Sequence, residues 1–148
     1  MSSRFAILSA IPAELIGFPD EEFESQILYT GVGKINATKA IMKHAVHLKE
    51  WNYSVINYGT AAKVCPNVDV GKLYEVTNFI QSDSFYLHGE SKQTDYDIVD
   101  MESYALASVC KEYDIPFRCF KYVSDAGNPD EWKENASKGV DLFLNKLN

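Results

Sequence analysis

The chain has 148 residues, of which 46% are hydrophobic and 24% charged, and its formal net charge is -7. This length and composition predict a single globular domain over residues 1–148 with a sizeable core. The acidic balance argues against a nucleic-acid-binding surface. An odd number of cysteines without metal-ligand spacing, and an apolar N-terminal run too short for a signal peptide or a membrane span, predict a soluble cytoplasmic protein.

Apolar runs and helical periodicities alternate along the chain. Strands are predicted, in chain order, at RFAILSAI, QILYTGVG, YSVINYGT, GKLYEVTNFI, YDIVDM and PFRCFKYVSD. Helices are predicted at about 35–49, at ESYALASVCKEY (apolar nearly all round and therefore central) and from Trp132 to Leu147 as one C-terminal helix. The alternation predicts an α/β fold with a mixed central β-sheet flanked by helices.

Acidic residues follow several of the predicted strands. Glu14 comes after the first strand, Glu102 after YDIVDM, and Asp125 at the end of the last strand. Each has an ordinary structural explanation, such as a favourable charge in the first turn of a helix. Ligands of open α/β sheets bind at the carboxyl ends of strands, however, and clustered carboxylates with different environments are an acid–base arrangement. A site with these three acids is therefore predicted at one edge of the sheet.

Other motifs are weaker. GVGK lacks the spacing of a Walker phosphate loop and the third glycine of a dinucleotide fingerprint, so a tight turn is its default interpretation. YGTAA is interpreted as a small-residue turn after the third strand, because Gly59 favours a turn. The three histidines have neither metal-ligand nor triad spacing, so no metal site is predicted.

VDMESYALA, followed about twenty residues later by KYVSDAGN, resembles the nucleoside phosphorylase superfamily, and within it the 5'-methylthioadenosine/S-adenosylhomocysteine nucleosidases. ILSAIPAE, TGVGKINA, INYGTAA and SDSFYL resemble other segments of the family's sequences and occur in the same order. The resemblance covers most of the chain. It implies a nucleoside phosphorylase-like fold reduced in size, a small-molecule nucleoside substrate, no cofactor, and a homodimer.

The resemblance also implies residue roles. Asp125 would hold the purine and protonate N7, Glu14 would activate water, and Glu102 would bind the ribose 2' and 3' hydroxyls. Independent chemistry agrees, because a leaving purine needs a general acid and an oxocarbenium-like sugar is stabilised by nearby carboxylates. The remaining implied substrate-binding residues are Met101, Phe85, Tyr86, Thr60, Ala61, Val32, Ile11 and Ser124.

The chain departs from the family pattern in three places. The stretch between Glu14 and the glycine turn is abbreviated. The region between EVTNFI and SDSF is much shorter than the family's, which puts selectivity for the 5' substituent in doubt. Ala62 and Lys63 replace the usual glycines after GTA.

Three functions are compatible with these residues. The first is hydrolysis of a 5'-modified adenine nucleoside. The second is phosphate-dependent phosphorolysis, which is disfavoured because Arg4 and Arg118 are poorly placed for phosphate. The third is nucleoside binding without catalysis, which the shortened pattern suggests and the retained carboxylates oppose.

Overall fold

The computed structural model describes residues 4–19, 26–81 and 97–148. Its strands are β1 (Arg4–Ser9), β2 (Gln26–Tyr29), β3 (Tyr53–Lys63), β4 (Leu73–Val76), β5 (Ile98–Val99) and β6 (Phe117–Asp125). Its helices are a 3-10 helix (Pro12–Leu15), α1 (Lys34–Glu50), α2 (Ser103–Glu112), α3 (Pro129–Asn135) and α4 (Val140–Leu147). None of the helices in these ranges is long and apolar enough to cross a membrane.

The described strands form one mixed sheet in the order β2-β1-β3-β6-β4. The first four are parallel, β4 runs antiparallel to β6, and β5 pairs antiparallel with the end of β3. The chain passes from β1 to β2 on one side and then returns to β3 on the other side of β1. The order therefore reverses between β1 and β3, and the carboxyl ends of these two strands flank a switch point, where α/β proteins bind ligands.

Each face of the sheet is covered by helices. Alternate residues of β1 face opposite ways, so Ala6 and Leu8 pack with α1 and α2, whereas Ile7 packs with α4. On the α4 side, the ring of Tyr58 stacks on that of Phe143 with 4.2 Å between centroids. The predicted α/β class, with a mixed sheet between helices, is confirmed.

The interpretation of YGTAA as a turn is wrong. Gly59, Thr60 and Ala61 lie within β3, which continues to Lys63 because β6 runs beside it and pairs with it from Val55 to Ala62. A Cβ on Gly59 would lie 3.1 Å from both Oε2 of Glu14 and Nζ of Lys121. Gly59 therefore leaves room for these two charged side chains, and it does not form a turn.

The C-terminal segment is two helices, not the single one that the apolar stripe predicted. The helical conformation is interrupted between α3 and α4, and Gly139 precedes α4. A Cβ at Gly139 would lie 2.4 Å from Cγ of Tyr122. Only glycine therefore fits at this position, where the segment lies close to the sheet.

The composition of helix α2 had suggested a central position, but the helix is not central. It lies on one face of the sheet against α1, with Leu106 and Cys110 buried and Tyr104 38% exposed.

Candidate active site

Glu14 lies at the switch point between β1 and β3. The 3-10 helix after β1 carries it, with Pro12 at the start of the helix and the backbone N–H of Glu14 donating to the carbonyl of Ile11. Only 4% of Glu14 is exposed. A buried carboxylate is costly without partners, and this one has several.

Those partners come mainly from Thr60 on β3. The backbone N–H of Thr60 lies 2.6 Å from Oε2 of Glu14, and its hydroxyl lies 2.8 Å from the same oxygen. The hydroxyl of Ser9, at the end of β1, is 3.4 Å from Oε1. Thr60 Oγ1 also accepts a hydrogen bond of 2.8 Å from the indole N–H of Trp132 on α3. The end of β3, which the sequence analysis treated as a turn, is thus a rigid support for the acid.

Asp125 ends β6, the strand next to β3. Its Oδ1 accepts from the Ser124 hydroxyl at 2.6 Å and its Oδ2 from the backbone N–H of Gly127 at 2.8 Å. Consecutive strand residues normally point to opposite faces. Here Ala61 pairs with Val123 and Ala62 with Asp125, so Ser124 is an extra residue in the register. Such a bulge re-aims side chains and explains how Ser124 and Asp125 meet.

Glu102 immediately precedes α2 and reaches across to the turn before α1. The backbone N–H of Gly33 donates to its Oε2 at 2.7 Å. Burial raises the pKa of Glu102 above its ordinary value, although the Gly33 bond and the charge of Lys121 partly oppose this. The remaining oxygen, Oε1, is available to a ligand hydroxyl as far as the described residues are concerned.

Lys121 is a charged residue of the site that the sequence analysis missed. It lies on β6 with 2% of its side chain exposed, and its Nζ is 2.9 Å from Oδ2 of Asp100. Burial opposes its charge, but the nearby carboxylates of Asp100 and Glu14 outweigh burial and raise the pKa of Lys121. The available signal was a lysine flanked by Phe120 and Tyr122 in a predicted strand, since lysine is almost never buried without a partner.

Asp100 has a structural role. Besides Lys121, its Oδ2 accepts from the backbone N–H of Ser103 at 3.0 Å and from the Ser103 hydroxyl at 2.6 Å. Burial alone would raise the pKa of Asp100, but Lys121 and the Ser103 bonds lower it overall.

The other predicted binding residues lie near these acids. Ala61 is buried next to Thr60, and Ile11 is half-buried beside Glu14. Met101, beside Glu102, is 58% exposed, and Val32, beside Gly33, is 47% exposed. Exposed apolar side chains at such positions are able to contact a ligand. The two predicted aromatic residues, Phe85 and Tyr86, lie outside the described residues.

A cavity of about 540 Å³ opens beside Glu102. Its lining includes Met101, Glu102 and Lys121 together with residues 74–81 of β4 and the segment after it. This volume is typical of a small-molecule site. Glu14 and Asp125 do not belong to its described lining, so the cavity contains the Glu102 side of the site only.

The geometry has a definite chemical capacity. Two buried carboxylates, Glu14 and Asp125, lie at the carboxyl ends of a parallel sheet, and a third, Glu102, borders a cavity. Carboxyl groups arranged in this way are able to donate a proton when protonated, and to accept one or stabilise positive charge on a substrate when ionised. Within the described ranges, no group of three or more His, Cys, Asp or Glu side chains is placed to hold a metal ion.

The sheet and its switch point give this chain a fold similar to that of solved nucleosidase structures. The family model of the phosphorylase superfamily matches residues 90–147. The resemblance seen in the sequence is therefore confirmed, and several of the solved structures that the chain matches are described as 5'-methylthioadenosine/S-adenosylhomocysteine nucleosidases or as futalosine hydrolase. No sequence among curated proteins is a significant match.

Three of these structures define the likeness. A mutant of the methylthioadenosine nucleosidase of Helicobacter pylori, with 5'-methylthioadenosine in its active site, is 13% identical with a TM-score of 0.77, covering 99% of each chain. A futalosine hydrolase mutant from the same organism is 12% identical with a TM-score of 0.73, again over 99% of each chain. The 5'-methylthioadenosine/S-adenosylhomocysteine nucleosidase of Colwellia psychrerythraea, in complex with adenine, is 15% identical with a TM-score of 0.74, covering 99% of this chain and 95% of that one.

Proposed function

We propose that this protein hydrolyses the N-glycosidic bond of a 5'-modified adenine nucleoside, of the methylthioadenosine or S-adenosylhomocysteine type, and releases adenine. The observation that carries the proposal is the pair of buried carboxylates, Glu14 and Asp125, on elements joined by the neighbouring strands β3 and β6. The nucleosidases that share the fold support the choice of reaction.

Glu14 is the base that activates water. Thr60 and Ser9 donate hydrogen bonds to its carboxylate, which is the direction that suits an ionised acceptor. The water attacks the anomeric carbon of the ribose and transfers a proton to Glu14. The negative charges near the sugar stabilise the positive charge that develops as the bond to the base breaks.

Asp125 is the general acid that protonates N7 of the purine, so that adenine leaves as a neutral molecule. Each of its oxygens accepts one hydrogen bond, from Ser124 or from Gly127. A carboxyl group has room for more than these two contacts, so one oxygen is able to carry a proton to the purine while it keeps its partner.

Glu102 binds the ribose hydroxyls, and Met101 contacts the sugar from the open side of the cavity. A charge-assisted hydrogen bond from a hydroxyl to a carboxylate is short and strong. Thr60, Ala61 and Val32 line the ribose and the base, and Ile11 lies on the 5' side of the sugar. Stacking of the base on Phe85 and recognition of its edge by Tyr86 stay predictions.

Phosphorolysis is the less favoured alternative. The buried cation near Glu14 is Lys121, and its charge is already matched by Asp100 at 2.9 Å and by Glu14 across Gly59. A phosphate ion would bring further negative charge to a position where two carboxylates already lie. Water is a neutral nucleophile and meets no such repulsion.

We also propose a cytoplasmic homodimer. Three apolar side chains of α1 share one stripe on the side away from its buried face, with Ile35 72%, Met42 46% and Val46 58% exposed. Such a stripe on a helix is typical of a surface that a partner covers.

The direct test is base release from a panel of nucleosides. Purified protein is incubated with methylthioadenosine, S-adenosylhomocysteine, futalosine, 5'-deoxyadenosine and adenosine, with and without inorganic phosphate. Free base and sugar product are then separated by chromatography. We expect adenine and a free sugar without phosphate. Strict dependence on phosphate would indicate the phosphorylase, and binding without base release from any of them would indicate the non-catalytic domain.

A further inference from the structure

We propose that Trp132 is a positioning residue for Glu14 and acts on it through the hydroxyl group of Thr60. This inference rests on the proposed function, because it assigns Trp132 a role in orienting the base of that reaction. The sequence pattern had placed Trp132 only in the apolar stripe of a C-terminal helix.

The three groups form one continuous chain of hydrogen bonds. The indole N–H of Trp132 lies 2.8 Å from Thr60 Oγ1, and Thr60 Oγ1 lies 2.8 Å from Oε2 of Glu14. An indole N–H is only ever a donor, so it occupies an acceptor position on the threonine oxygen. The single hydroxyl hydrogen of Thr60 is then directed away from Trp132 and toward the carboxylate.

Because the hydroxyl hydrogen of Thr60 is directed toward Glu14, the two carboxylate oxygens of Glu14 differ in their hydrogen bonds. Oε2 already accepts from both the backbone N–H and the hydroxyl of Thr60, at 2.6 and 2.8 Å. Oε1, among the described residues, accepts one long bond of 3.4 Å from Ser9. The less occupied oxygen is the better acceptor for a new proton, so Oε1 takes the proton of the attacking water. Trp132 stabilises this arrangement by holding the hydroxyl of Thr60 against Oε2.

Trp132 is itself held in place by the short helix α3. Asn128 caps the helix, with its side-chain oxygen accepting from the backbone N–H groups of Asp130 and Glu131. Near the other end, the side-chain amide of Asn135 donates to the carbonyl of Ser124 at 2.9 Å. Helix α3 is therefore attached both to the strand of the acid Asp125 and, through Trp132, to the support of the base Glu14.

The kinetic test compares Trp132→Phe in two backgrounds. Phenylalanine keeps an aromatic ring and removes the N–H. Losing one hydrogen bond that orients the base is expected to lower kcat about threefold to tenfold with KM little changed. In a Thr60→Val background, which lacks the hydroxyl, Trp132→Phe is expected to have no further effect, whereas Thr60→Ser keeps the effect. Equal losses in the Thr60→Val and wild-type backgrounds would overturn the proposal. Trp51→Phe, on the exposed tryptophan, is the matched control and leaves kcat unchanged.

A second measurement does not depend on turnover. In a Trp51→Phe background, Trp132 is the remaining tryptophan, and its fluorescence reports on the indole N–H. Glu14→Gln introduces an amide that competes for Thr60 Oγ1, so we expect a shift in the emission of Trp132, which Thr60→Val abolishes. Glu112→Gln, on the exposed end of α2, is the control without a shift. If Glu14→Gln leaves the emission of Trp132 unchanged, the hydrogen-bond chain is rejected, even if the wild-type protein cleaves nucleosides. If the emission of Trp132 shifts in Glu14→Gln but the wild-type protein cleaves no nucleoside, the hydrogen-bond chain is retained and the proposed reaction is rejected.

Discussion

The ammonium group of Lys121 lies 2.9 Å from Oδ2 of Asp100, with 2% of the lysine side chain and 17% of the aspartate side chain exposed. On its other side, across Gly59, the lysine faces the carboxylate of Glu14. One buried cation is therefore shared by a structural acid and by the proposed base. It joins the start of α2, which carries Glu102, to the switch point between β1 and β3.

Replacement of this lysine is expected to destabilise the protein strongly. Lys121→Met keeps an unbranched side chain that is only one atom shorter and leaves Asp100 and Glu14 without their cation. Removing one member of a buried ion pair typically costs about 3–5 kcal/mol of the free energy of unfolding, because the other charge stays buried. Urea denaturation at neutral pH measures the loss.

The matched control lies three residues earlier on the same strand. Arg118 pairs with Glu75 at 2.8 Å, but both side chains are largely exposed. Because water screens exposed ion pairs, Arg118→Gln is expected to change the free energy of unfolding by less than about 1 kcal/mol. Equal losses in Lys121→Met and Arg118→Gln would contradict the central place given to Lys121.

Removal of the carboxylic acid at residue 125 is expected to stop base release while binding remains. Asp125→Asn keeps the shape of the side chain and cannot supply the proton, so kcat should fall about 10²- to 10⁴-fold, the usual contribution of a general acid. Calorimetric titration of the variant with the nucleoside substrate measures the binding that remains. Asp130→Asn, at an exposed acid in the first turn of α3, is the control and should leave kcat near the wild-type value.

The binding of substrate should weaken in mild acid because of Glu102. Burial raises the pKa of Glu102 above its ordinary 4.5, so its carboxylate takes up a proton at a higher pH than an exposed glutamate does. The protonated form is a poorer acceptor for the ribose hydroxyls, and KM should therefore rise as the pH falls through this pKa. Measurement of KM at a series of pH values below neutrality follows the change.

The variant Glu102→Gln removes the titrating group and should have a higher KM that no longer rises in acid. Glu112→Gln should keep the wild-type profile. A KM that rises equally in the wild type and in Glu102→Gln would assign the titration to another residue.

The exposed stripe of α1 should determine the oligomeric state. Met42→Glu places a charge in the middle of that stripe and is expected to convert the homodimer into a monomer. Sedimentation velocity or light scattering gives the mass directly. Lys43→Glu changes an exposed neighbour outside the stripe and should leave the dimer intact. A monomeric wild-type protein would reject the dimer itself.

The sequence predicted the parts of the structure that local pattern determines. Helix α1 follows from Ala37, Ile41, Ala45 and Leu48, which are all buried at helical spacing. The strand ends at Glu14 and Asp125 follow from apolar runs and their interruptions. The general position of the acids was predictable because parallel strands end at a common edge.

The parts that failed depend on contacts between distant segments. Nothing local to YGTAA indicates that β6 will pair with it and extend β3 through Gly59. The pairing of Lys121 with Asp100 joins two segments that periodicity treats separately. The contact of Trp132 with Thr60 also joins two distant segments, and the apolar stripe gave no sign of it. In each case a tertiary contact decided the local conformation.

The extra residue Ser124 in the pairing of β3 with β6 has a consequence for how the protein tolerates change. Because the bulge aims Asp125 from within the sheet, the spacing of the acid from Thr60 and Glu14 is determined by the ladder of main-chain hydrogen bonds. Connections elsewhere are then free to differ in length without displacing the reacting groups. A deletion of Ser124 would do the opposite, because it would remove both the bulge that aims the carboxylate and the hydroxyl group that donates to Oδ1 of Asp125.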